Sequence, residues 1–225
     1  MSEIVEKQSA DKKVNSFIEK NKKVFIIVGV ISVVVLACYI AGYAISKNIK
    51  AKDLAKIDEI TFTLVDDSMA ADAAELDTRR TTGIEELQSL VGKSGIVGAR
   101  ANMLAAELSY QLEKYDEAAS YWEVCAKKAK KTYISPIAYY NLGVCYEQLG
   151  KLDEATNSYK IAAENEDFVL NTHAQFSYGR TLETQGKYAD AVAVYTELND
   201  KNPDDSWANL GKTRILTLQA EGKAE

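Results

Sequence analysis

A chain of 225 residues, 47% apolar and 27% charged, has room for one domain of ordinary size plus an appendage. Only two prolines, Pro136 and Pro203, and 12 glycines interrupt it, so helix is the expected structure throughout. The net charge of −6 is uneven: residues 1–23 carry +2, residues 24–46 carry none, and the remainder carries −8. An acidic main domain argues against nucleic acid as a partner, because binding a phosphate backbone requires a basic face. One histidine and three cysteines leave little for metal ligation or nucleophilic catalysis. No cofactor, metal or small-molecule substrate is expected, and enzyme is the last class to consider.

Residues 1–15 show no useful periodicity and read as disordered, within a short lysine-bearing N-terminus, 1–23. Residues 24–46 follow as 23 positions without a charge, VFIIVGVISVVVLACYIAGYAIS. As a helix this segment would span about 35 Å, enough for a hydrocarbon core of roughly 30 Å. Tyr39 and Tyr43 stand toward its C-terminal end, where aromatic rings favour the headgroup layer. A single transmembrane helix in the lipid bilayer is the reading. Lys7, Lys12, Lys13, Lys20, Lys22 and Lys23 on one flank outnumber Lys47, Lys50, Lys52 and Lys56 on the other, which places the N-terminus inside and the long domain outside. Two rival readings stand beside it. Gly42 and Ala44 fit the small residues of a signal-peptide cleavage site, although the apolar run is long for one. Val35-Leu36-Ala37-Cys38 resembles a lipobox, with Cys38 as the lipidated residue, although the chain stays apolar after it.

Beyond the apolar run, Ile49, Leu54, Ile57, Ile60 and Leu64 continue a helical period to about residue 70. A short helix is expected over about 82–92, with Ile84, Leu87, Leu90 and Val91 on one face, and a loop or frayed helix ends over 70–82 before it. Gly92-Lys93-Ser94 resembles the end of a phosphate-binding loop. Leu87 stands where that loop needs a glycine, and a helix precedes it where a strand is required, so it reads as a turn. Gly95 and Gly98 suit a tight connection between helices. The basic run Lys127, Lys128, Lys130, Lys131 reads as a solvated helix end, with contact to anionic lipid or an acidic partner as the functional alternative.

The rest of the chain repeats. Lys114-Tyr-Asp-Glu-Ala118, Lys151-Leu-Asp-Glu-Ala155 and Lys187-Tyr-Ala-Asp-Ala191 are spaced by 37 and 36 residues. An aromatic follows each alanine by four positions: Trp122, Tyr159 and Tyr195. Upstream, Asn141-Leu142-Gly143, Tyr146 and Gly150 are echoed by Ser177-Tyr178-Gly179, Leu182 and Gly186. These residues resemble the tetratricopeptide repeat, a helix–turn–helix unit with small residues where its helices A and B touch. Leu142-Gly143, Tyr146, Gly150, Ala155, Tyr159 and Ala162 take its signature positions once, and Tyr178-Gly179, Gly186, Ala191, Tyr195 and Pro203 take them again. The expected organisation is an all-α chain. Residues 47–98 form a helical N-terminal part of the solenoid. A degenerate repeat follows over 99–135, where Ala106 and Glu113 replace the two glycines, then repeats over 136–171 and 172–205. A lone capping helix and tail, 206–225, opens at Asp204-Asp205-Ser206.

The resemblance implies a protein-binding groove lined by helix A. Its positions fall on Arg100, Met103, Glu107, Tyr110 and Gln111, then Ile137, Tyr140, Val144, Glu147 and Gln148, then His173, Phe176, Arg180, Glu183 and Thr184. Met103 and Glu107 replace two residues of the clamp by which some members hold a C-terminal carboxylate, so that specificity is not expected. The groove has a second reading, in which the chain's own N-terminal helices fill it. Cys125 and Cys145 fall on facing helices of adjacent repeats, as two buried thiols or as a candidate disulfide. His173 has no second metal ligand near it in sequence.

Membrane helix, acidic repeat domain, and Val14-Asn-Ser-Phe17-Ile-Glu-Lys-Asn21-Lys-Lys before the apolar run are similar to the YfgM-like ancillary subunit of the bacterial Sec translocon. So is the stretch from Glu85-Glu86-Leu87 through Ala106-Glu107-Leu108 to Tyr115-Asp-Glu-Ala118. That resemblance implies an inner-membrane protein with a periplasmic domain. Its partners would be translocon subunits, membrane-anchored folding factors or exported chains, which it would help pass to periplasmic chaperones. A scaffold subunit of an envelope complex, anchored through Cys38, is the alternative.

Overall fold

The computed structural model describes residues 2–66 and 71–224, with side chains from residue 15 onward. Among them the chain is all helical: α1 (Ser2–Val65), α2 (Ala73–Val91), α3 (Gly95–Gln111), α4 (Tyr115–Lys128), α5 (Ile134–Gln148), α6 (Leu152–Ala163), α7 (Asn171–Thr184), α8 (Tyr188–Lys201) and α9 (Ser206–Ala220). The chain divides into two compact units, residues 1–52 and 53–225.

The first unit is α1 up to residue 52. The segment expected to be disordered is helical from Ser2, since no proline or glycine stands before Gly29 to break it. Its apolar residues, from Val24 to Ile45, are exposed on all sides, and α1 is long and apolar enough to cross a membrane.

The second unit begins with the last turns of α1. Ile57 and Ile60 are buried with Ile84, Leu87 and Leu90 of α2 and Val97, Ala101, Ala105 and Leu108 of α3. The expectation of a loop over 70–82 is corrected from residue 73 onward (residue 70 lies outside the described residues): α2 starts at Ala73, nine residues before the expected start at 82. Asp72 caps it by accepting from the Glu75 N–H at 2.8 Å, and Arg79 one turn on bonds the carboxylate of Glu75. Arg79 also donates to the carbonyls of Thr63 and Asp66, so a side chain of α2 satisfies the end of α1, which has no basic residue of its own there.

From α3 onward each helix packs mainly on its sequence neighbours. Gly143 and Gly179 show why the repeat needs its small residue. A Cβ on Gly143 would lie 2.8 Å from the Tyr159 ring, and one on Gly179 would lie 2.5 Å from the Tyr195 ring. Both rings are completely buried. The degenerate repeat solves the same contact with Ala106 and Trp122, both buried in one cluster.

The A-to-B turns share one geometry. Gly150 and Gly186 adopt φ 68° and 75°, and the residue after each donates to the carbonyl five positions back, Lys151 to Tyr146 and Lys187 to Leu182. Glu113 is forced into the same left-handed conformation at φ 60°, with Lys114 donating to Ser109. The turn is thus conserved in shape where its glycine is lost, at a conformational cost to Glu113.

Gly92-Lys93-Ser94 is the turn between α2 and α3, without a strand before it. A Cβ on Gly98 would lie 1.8 Å from the Lys93 carbonyl oxygen, which is the tight connection expected there. Within the basic run, Lys128 is committed to this turn, donating to the Lys93 carbonyl at 2.7 Å, and Lys127 pairs with Glu123 at 3.5 Å.

Candidate protein-binding face

Three helices of the repeats, α3, α5 and α7, carry the residues assigned to the groove, and α9 continues their row. It is more than a cap. Asp205 starts it by accepting from the Trp207 and Ala208 N–H groups. Trp207 then stacks on His173 with centroids 3.7 Å apart and planes 7° from parallel. Arg214 pairs with Glu183. Trp207 and Arg214 follow His173 and Arg180 by 34 residues each, a signal present in the sequence although α9 carries Lys212-Thr213 where α7 has Tyr178-Gly179.

A charge ladder crosses the face. Arg180 of α7 pairs with Glu147 of α5 at 2.7 Å, and Arg214 of α9 repeats the contact on Glu183 of α7. Each carboxylate also accepts from the hydroxyl of a core tyrosine, Tyr159 on Glu147 at 2.6 Å and Tyr195 on Glu183 at 3.2 Å. Burial first, then the adjacent carboxylate, raises the pKa of both phenols, which stay protonated donors. The small-residue contact, the buried ring and the surface ion pair are therefore one connected unit in each of the last two repeats.

Beside this ladder lies an aromatic group. Tyr140 contacts the rings of Tyr159 and His173, with its hydroxyl 3.1 Å from His173 Nδ1. Burial, then the Arg180 charge, lowers the His173 pKa and favours the neutral imidazole. No cluster of metal-ligating side chains forms among the described residues.

The structure sorts the sequence-assigned residues. Gln111, Gln148, Arg180 and Thr184 are exposed, and Glu107, Tyr110, Ile137, Tyr140, Val144, Glu147, His173 and Glu183 are half-buried. Three are drawn away. Phe176, assigned to the open groove, is only 6% exposed, because Trp207 and Tyr195 close over it at 5.4 and 5.6 Å. Met103 packs into the core around Trp122. Arg100 is paired with Asp58 near the end of α1 at 2.7 Å, so at this point the chain's own N-terminal part does occupy the row. Gln111 accepts from Arg80 at 2.9 Å while remaining exposed.

The candidate disulfide is not made. Cys125 and Cys145 are fully buried free thiols, and Cys125 donates to the Ala99 carbonyl at 3.3 Å, toward α3. Burial pushes both thiols up to about 12, which leaves them inert as nucleophiles.

Comparison with known proteins agrees with this architecture. Residues 110–165 and 150–206 match the tetratricopeptide repeat family. A TPR repeat-containing protein of Treponema pallidum (strain Nichols) is 29% identical over 139 residues, 62% of this chain. The match spans 58% of that relative's length. Among solved structures, a putative kinesin light chain with nearly identical TPR-like repeats from Podosopora anserina has a TM-score of 0.57 at 10% identity. It covers 75% of this chain and 86% of its own. The apo form of RapI has a TM-score of 0.52 at 12% identity over 74% of this chain and 69% of its own. These likenesses are of fold: a tetratricopeptide-type helical solenoid, the architecture of a protein–protein interaction module.

Proposed function

We propose that this chain is a membrane-anchored adaptor whose helix-A face holds partner polypeptides close to a bilayer. The observation that carries the reading is the row formed by α3, α5, α7 and α9. Buried glycine–tyrosine contacts and the Glu–Arg ladder fix its shape, while Tyr140, Gln148, Arg180 and Thr184 remain accessible on it. A preformed surface of this kind limits the entropy lost on binding. Half-buried tyrosine with adaptable polar neighbours suits recognition of varied chains.

In this reading the apolar run of 24–46 spans the membrane. The lysine bias favours the repeats lying outside the cytoplasm, and the resemblance to the bacterial translocon subunit makes that space the periplasm in this reading. The resemblance of residues 14–23 and 85–118 to the ancillary Sec translocon subunit supports a role beside the exit of the export channel. Tethering raises the effective concentration of the repeats there, so each contact with an emerging chain can be weak and short-lived while capture stays efficient. Hand-over to a chaperone then needs only that the chaperone bind the same segment more tightly.

Site-specific photo-crosslinking in cells from Tyr140 and Gln148 tests this, with partners identified by mass spectrometry. Gln148 is preferred to Phe176, which is buried. Crosslinks to translocon subunits, chaperones or assorted exported chains are expected. A single stoichiometric partner, with lipid found on Cys38, would instead establish the scaffold, and crosslinks only within the chain would refute the face.

A further inference from the structure

The charge ladder has a missing rung. In the last two repeats the carboxylate on the helix-A face, Glu147 or Glu183, meets an arginine from the next helix of the row. One repeat earlier the same two positions hold Tyr110 and Val144, and the carboxylate is displaced to Glu107, one turn back on α3. Glu107 is half-buried and has neither an ion pair nor a hydrogen bond among the described residues. The nearby cations are already committed, Arg100 to Asp58 and Arg80 to Asp77 and Gln111. Glu107 opens into a cleft of about 130 Å³, whose other walls are Tyr110, Gln111, Trp122, Asn141 and Val144. One of the two Asn141 amide N–H groups donates to the Ile137 carbonyl, and the amide oxygen is a second acceptor beside the carboxylate.

We infer that this cleft receives a basic side chain, lysine or arginine, from the bound polypeptide, supplying from outside the cation that the array provides for itself in the other repeats. The inference rests on the helix-A face being the partner-binding face, and it adds what that partner must carry. The chemistry is complementary: a half-buried carboxylate and an amide oxygen accept N–H bonds, and Tyr110 and Trp122 line the cleft beside them. The cleft is the size of a side-chain end rather than of a folded surface, which fits an extended chain. Burial raises the Glu107 pKa, as expected for a carboxylate held without a counter-charge, and a bound cation would relieve it.

The test uses the full chain in nanodiscs of zwitterionic phosphatidylcholine, which removes lipid charge as a source of attraction. The probes are fluorescent decapeptides of one host sequence, differing at a single position as arginine, lysine, citrulline or norleucine. Affinity is read by anisotropy, and contact by a photo-crosslinker at Gln148. The expected result is that the arginine and lysine peptides bind about tenfold or more tightly than the citrulline and norleucine peptides, the scale of one desolvated charge pair. In Glu107→Gln that difference disappears, while the melting temperature equals or exceeds that of the unmodified protein. Crosslinking at Gln148 without a preference for the basic residue, or a preference that survives Glu107→Gln, overturns the inference and leaves the face standing. No crosslinking of any peptide at Gln148 overturns the reading of the face itself, and the inference with it.

Discussion

Replacing Gly179 by alanine is the sharpest test of the packing argument, because two effects of opposite sign are known separately. In a helix interior, alanine is favoured over glycine by about 0.8–1 kcal/mol. Against this, the added Cβ falls 2.5 Å from Tyr195 Cε1 and 2.8 Å from Cδ1. The ring has no room to retreat, being completely buried and tied through its hydroxyl to Glu183 at 3.2 Å. Overpacking of a well-filled core costs about 1–3 kcal/mol, and an approach this close to a tethered ring belongs at the upper end. The expected net loss is about 2 kcal/mol, or a fall in Tm of roughly 4–8 °C for a domain of this size. Thermal and urea unfolding of the full chain in detergent, followed by helical circular dichroism, reads it. Two controls make the result specific. Gly92→Ala, at a right-handed φ of −75° with nothing within 4 Å of the new Cβ, is expected to stabilise by about 0.4–1 kcal/mol. In a Tyr195→Leu background the cost of Gly179→Ala is expected to shrink to under about 0.5 kcal/mol, since the two changes are coupled through one contact. A rise in Tm for Gly179→Ala, or an equal cost with and without the Tyr195 ring, would refute the reasoning.

Other outcomes follow from the same structure. Glu113→Gly relieves the only left-handed non-glycine residue among those described, and is expected to stabilise by about 1 kcal/mol in urea unfolding. The chain has one histidine, so an NMR titration reads His173 without assignment. Its pKa is expected below the ordinary 6.5 in the intact protein and closer to it in Trp207→Ala, which strips the stacked ring. Because the folded state disfavours the charged imidazole, the unfolded chain takes up that proton first as pH falls. The contribution of His173 is therefore complete above about pH 6.5 and declines below it, and the decline is expected to weaken in Trp207→Ala. Maleimide at pH 7 is expected to modify neither Cys125 nor Cys145 until urea unfolds the repeats, as mass spectrometry of the peptides will show.

The parts of this fold legible in the sequence are those where a single contact recurs at fixed spacing. Gly143 with Tyr159 and Gly179 with Tyr195 are each 16 residues apart in one helical hairpin, so the pattern of small residue and ring reports the packing directly. The start of α2 is not legible in the hydrophobic period, because residues 73–81 carry one large apolar side chain, Leu76, and no repeating apolar face. The signal there is the cap, Asp72 with Glu75 three positions on, rather than hydrophobic period. The burial of Phe176 was illegible for another reason. Its position in the repeat points toward the helix-A face, but whether that face is open depends on the next helix, and Trp207 covers it. A consensus describes one unit, whereas exposure is a property of two neighbours.

The distribution of ion pairs separates what holds the repeats together from what sets the character of their surface. Lys151 with Asp116 and Lys187 with Asp153 also join successive repeats, but their carboxylates are 77% and 85% exposed, and such pairs contribute at most about 1 kcal/mol. Glu147 and Glu183 are only 18% and 16% exposed and bond a buried phenol as well as an arginine. Removing either arginine would strand a half-buried carboxylate, a larger loss than breaking a surface pair. The ladder thus has a chemical consequence beyond cohesion: along α5, α7 and α9 it cancels the charge of the row within the molecule. Among the described residues assigned to that face, Glu147 and Glu183 are cancelled in this way and Glu107 is not, which is why the proposed attraction for a cation falls at Glu107.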